Sequence, residues 1–96
     1  MAKMSSEQAD QRLISADSIE AVIAAVRDYL AQWDPRELAR LPENCRLDAV
    51  NSAEDVQWWA DTFGVEYQAG EIVNRELQEM HDFFQSAARR IRQIRP

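Results

Sequence analysis

The last third of the chain carries one regular apolar stripe. Val73, Leu77, Met80, Phe84, Ala87, Ile91 and Ile94 follow at alternating spacings of four and three. That spacing returns to one face of a 3.6-residue helix, so it predicts a single long amphipathic helix from about Glu71 to about Arg95. A helix of this kind is stable only when something covers its stripe, and everything else in the chain has to be weighed as that cover.

The remaining 70 or so residues read as more helix. Two glycines and three prolines among 96 residues leave too few turn residues for an all-β chain. Asp17 and Glu20 have the spacing of a capping box. Ile19, Val22, Ile23, Val26, Tyr29, Leu30 and Trp33 then fall within an arc of about 120°. Ala21, Ala24, Ala25, Asp28 and Gln32 form the opposite face. Asp34-Pro35-Arg36-Glu37 restarts the chain, with proline at the first helical position and Pro42 as the stop. Residues 43–51 read as a loop. Ser52 caps a further helix with Asp55 in its first turn, and Ala53, Val56, Trp59, Ala60 and Phe63 share its inner face. Gly64 is the natural place for that helix to end in a left-handed conformation. Residues 65–70 fit either a loop or an early start of the last helix. The expected fold is therefore all-α, one domain over 1–96. It is a small bundle of three main helices and one short one, closed by the long C-terminal helix. Residues 1–12 are expected to be flexible, with only a weak helical pattern over Ser6–Ile14.

Length sets the main expectation about assembly. From Glu71 to Ile94 the last helix would measure about 36 Å, against about 24 Å for the helix ending at Trp33. The end carrying Ala87, Ile91 and Ile94 would then outrun its best neighbour by roughly two turns. An exposed apolar strip there needs a cover. Two-fold homo-oligomers are common, and the expectation is a homodimer. The alternative is that the segment around Leu13 and Ile14 folds back over this end.

Charge is unevenly spread. Residues 1–88 hold seven Lys/Arg and all 17 Asp/Glu, a balance of −10, whereas 89–96 hold Arg89, Arg90, Arg92 and Arg95 and no acid. The acidic body argues against general nucleic-acid binding and favours a basic protein partner. The arginine cluster has three readings: cations complementing a helix C-terminus, pairing with a partner subunit, or contact with nucleic-acid phosphate. It has no interleaved aromatics for base stacking. No apolar run approaches the ~18 residues of a membrane span. Met1–Arg12 lacks the apolar region of a signal peptide, so the expected location is cytoplasmic.

Few residues suggest chemistry. Trp58 lies about 200° around the wheel from Val56, among Glu54, Asp55, Asp61 and Thr62. It is an interface candidate, since tryptophan anchors binding surfaces; the alternative is that another segment of the chain, such as the loop at residues 43–51, covers it. Glu76, Glu79 and Asp82 stand three apart, a spacing similar to the Glu-x-x-Glu and Glu-x-x-Asp steps of all-α nucleotide pyrophosphatases. That similarity would imply magnesium and hydrolysis. Two of the three, however, fall opposite the stripe, and no second carboxylate pair accompanies them. They read as a solvated face. His81 has no nucleophile nearby in sequence, and the single Cys45 reads as a reduced, half-buried thiol. No catalytic residue, cofactor or metal is expected. The expectation is a non-enzymatic interaction module acting through helical surfaces. Its interface candidates are Trp58, Ala87, Ile91, Ile94 and the four arginines 89, 90, 92 and 95. The alternative is a nucleic-acid-associated regulator using the basic helix end.

Overall fold

A computed structural model describes residues 4–33, 50–70 and 75–95. Four helices carry them: α1 (Ser6–Ser15), α2 (Ile19–Ala31), α3 (Ala53–Gln68) and α4 (Arg75–Ile94). The expected short helix after Asp34, the loop after it, Cys45, and the start of the last helix around Val73 lie outside the described residues.

Each start is fixed by local chemistry. Ser5 opens α1 with a reciprocal capping box: its hydroxyl accepts from the Gln8 N–H, and the Gln8 side chain accepts from the Ser5 N–H. The pattern is Ser-x-x-Gln, which satisfies two backbone donors at once. α2 begins one residue later than the Asp17–Glu20 spacing suggested. Ser18 is the extended N-cap and accepts from Ala21 N–H at 3.2 Å. Ala21 has no side chain to return the bond, so the cap is single, and Glu20 serves the helix dipole from the first turn. At α3 the box is complete. Ser52 Oγ accepts from Asp55 N–H, and Asp55 accepts from the backbone N–H groups of Ser52 and Asn51.

Gly64 does not end α3. The helix runs one further turn to Gln68, and the left-handed residue is Gly70, with φ of 78°. A glycine mid-helix costs up to about 1 kcal/mol relative to alanine, too little to stop a helix that packs well on one face.

α3 and α4 run antiparallel and form the spine of the core. Phe63 stacks on Phe84 at 5.5 Å, Gln85 donates to the Ala60 carbonyl, and Arg92 reaches Gln57. α2 crosses the other side of α4, where Tyr29 meets Phe83 edge-on at 4.0 Å. Val22, Val26, Val56, Phe63, Met80 and Phe84 are the fully buried centre.

α1 completes the cover. It turns Ala9 and Leu13 inward, with Ala16 just beyond its end, and these join the same core as Ala87, Ala88 and Ile91. It also lies along the side of α2 that carries Ala21, Ala25 and Asp28, where Arg12 pairs with Asp28 at 2.6 Å. Ala25 is buried. Its small side chain, beside half-buried Ala21, lets α1 approach closely, so this part of the alanine face is a packing surface, whereas Ala24 stays exposed.

Candidate interaction surface

The end of α4 is not an overhang. Ala87 is fully buried, Ile91 nearly so, and Ile94 is half-buried against the core. The reason lies in α1, a ten-residue helix of about 15 Å that supplies the missing cover where α2 runs out. These three stripe residues therefore belong to the chain's own interior. The apolar strip that gave grounds for a second copy at this position is absent.

The basic end is likewise largely engaged within the chain. Arg90 donates twice to the Ala16 carbonyl, from Nε at 3.3 Å and Nη2 at 2.8 Å. Ala16 is the C-cap of α1, whose last carbonyls have no helical partner, so the guanidinium closes that end and offsets its negative pole. Arg92 bonds Gln57 Oε1 at 2.9 Å, and Arg95 pairs with Glu54 at 3.6 Å. Arg89 is exposed and has no partner among the described residues. A phosphate backbone laid along this helix end would compete with the contacts of three of the four arginines.

Trp58 is different. It is 54 % exposed, whereas its neighbour Trp59 is 2 % exposed. The two indoles meet edge-on, with centroids 4.6 Å apart and planes at 83°. Trp59 is itself held in the aromatic core beside Phe63 and Phe84. The exposed ring is thus braced by a rigid one, so little rotamer freedom remains to be lost when a partner covers it.

Because α3 continues past Gly64, Trp58 has company. Thr62, Val65 and Ala69 follow it at helical spacings of four, three and four, and Val65 is 66 % exposed. Glu54 and Asp61 lie together along one edge of this stripe, Asp61 accepting from Gln57 Nε2 at 2.8 Å. The Thr62 hydroxyl is turned back onto the Trp58 carbonyl at 2.8 Å, which leaves its methyl group to the surface. The result is a narrow apolar ridge with one acidic edge. The sequence pointed to Trp58 alone. Val65 carries no such signal in the sequence, because the glycine directly before it marks a helix stop.

Among the described residues no group of His, Cys, Asp and Glu is placed to hold a metal ion. Glu76 and Asp82 point to solvent, and Glu79 is half-buried near Tyr29. Burial pushes the Tyr29 phenol well above its ordinary range, and the Glu79 carboxylate adds to the effect. This tyrosine is therefore a neutral core residue. Asp55 is held below its ordinary value, chiefly by the Asn51 N–H and further by Ser52. His81 stacks on Tyr67 at 4.5 Å with nearly parallel rings, and its Nδ1 lies 3.0 Å from Asp82. The stack packs half-exposed Tyr67 of α3 against α4 near the end where the chain passes from one helix to the other.

No described helix is long and apolar enough to cross a membrane. Compared with known proteins, the chain matches no family model, no curated protein and no solved structure.

Proposed function

We propose that this chain is a small, non-enzymatic interaction module that docks a basic, amphipathic helix of another protein on the outer face of α3, with Trp58 as the anchor. The observation that carries this reading is the braced, exposed Trp58 in line with Val65. A partner helix laid along the ridge would cover both, and a Lys or Arg on one flank would meet Asp61, while Glu54 already pairs with Arg95. Arginine next to the indole would add a cation–π contact. The net charge of −6 would speed the approach of such a partner. The reading takes a single chain as the working unit, because α1 covers the end of α4 that carries Ala87 and Ile91.

The test is a titration of a partner captured from a cell extract and then purified. Trp58→Ala should weaken binding by about 2 kcal/mol, as expected of an interface anchor, and raised salt should weaken it further. Equal affinity for the wild type and Trp58→Ala contradicts the proposal.

A further inference from the structure

A second surface differs in charge from the α3 ridge. Between the outer edges of α1 and α4 lies an open groove of about 240 Å³. Leu13 and Ile14 supply its apolar wall, and Ile14 is 64 % exposed there. Ser86, Arg89, Arg90 and Gln93 stand along the facing side of α4 at spacings of three, one and three, with Asp10 across from them.

We infer that this groove binds a small monocarboxylate bearing a short aliphatic group. Three features select that class. First, Arg89 offers a guanidinium fork that has no partner among the described residues, and such a fork matches a carboxylate in a bidentate manner. Arg90 adds a second positive charge, fixed in place by its bonds to the Ala16 carbonyl and Gln93. Second, Asp10 cancels one of these charges. The groove is left with a net charge of about +1 in a protein of net −6, which suits a monoanion and disfavours phosphates. Third, the volume falls below the roughly 300–1,000 Å³ of sites for drug-sized ligands, and the Ile14 side chain gives an aliphatic group something to lie against. The same chemistry is offered by a free short-chain acid and by the C-terminus of a peptide ending in leucine.

Chemical-shift titration of the full chain tests this with hexanoate and with N-acetyl-Gly-Gly-Leu as separate probes. Saturable shifts confined to the amides around Ile14, Ser86 and Arg89 are expected with at least one probe, and which probe binds more tightly assigns the source. Arg89→Gln should weaken binding about tenfold, and Asp10→Asn should tighten it. Both positions are exposed, so circular dichroism should show an unchanged fold. Absence of localised shifts with either probe overturns the inference. So does equal binding of hexanamide, equal binding of inorganic phosphate, or an Arg89→Gln variant that binds as well as the wild type. None of these outcomes bears on the α3 ridge, which is a separate face.

Discussion

At the scale of single residues, the two glycines separate two kinds of position that sequence alone merges. Gly64 lies inside α3, and a Cβ there would meet only Gln85 Nε2, at an ordinary contact distance of 3.5 Å. Gly64→Ala should therefore stabilise the fold by about 0.5–1 kcal/mol, by removing chain entropy from the unfolded state and raising helix propensity. Gly70→Ala should destabilise it by about 1 kcal/mol, because its φ of 78° strains any side-chain-bearing residue. Urea unfolding of both variants checks the signs; a destabilising Gly64→Ala would mean that α3 ends there after all. The tryptophan pair gives the matching contrast. Trp59→Ala should cost about 3–5 kcal/mol, as for other buried aromatics. Trp58→Ala should cost no more than about 1 kcal/mol, since half of its ring already faces water.

The same two glycines show how far the residues could be read in advance. Trp58 stood out because a tryptophan among acids cannot be explained by the core periodicity of Val56, Trp59 and Phe63. Val65 did not, because a glycine directly before it looked like a stop, and packing against α4 decides helix length more strongly than one weak helix former. The ridge was thus half legible: its anchor came from a local anomaly, its extent only from tertiary structure.

At the scale of elements, α1 is the piece that changes the meaning of the heptad stripe. By composition it is mostly polar, with few apolar residues to mark it, yet Ala9, Leu13 and nearby Ala16 are enough to close the core over Ala87 and Ile91. Leu13→Ala should cost about 2–5 kcal/mol, since Leu13 is 2 % exposed and belongs to the core. A loss below 1 kcal/mol in denaturant unfolding would show that α1 is not part of the cooperative core. The start of α3 should respond to acid. The Asp55 carboxylate is held below its ordinary pKa by the backbone donors it caps. Its stabilising contribution is therefore complete above the unfolded value of 3.8 and is lost as pH falls through the lower folded value. Below about pH 4, hydrogen exchange in the first turn of α3 should rise in the wild type, and Asp55→Ala should show that higher exchange already at neutral pH. Equal protection in the two proteins at neutral pH would rule out the cap as its source.

At the scale of the whole molecule, charge and cover divide the surface into regions with different offers. The ridge of α3, with acids along one edge, presents exposed apolar surface at Trp58 and Val65. The arginine end of α4 is mostly spent on holding α1 and α3, through Ala16, Gln57 and Glu54. The fold class followed directly from periodicity, caps and scarce glycine. How the helices share their cover did not follow as directly: the segment around Leu13 and Ile14 is one of two covers the sequence allows, and only the tertiary contact between the chain's first helix and its last selects it, with Leu13 inside and Ile14 exposed.

That contact can be tested by light scattering on the full chain and on a chain beginning at Asp17. If α1 is the cover for the end of α4, the full chain runs as a monomer of 11.1 kDa, and the chain lacking α1 self-associates through the uncovered Ala87 and Ile91. A full chain that runs as a dimer, or a shortened chain that stays monomeric and folded, would contradict the account.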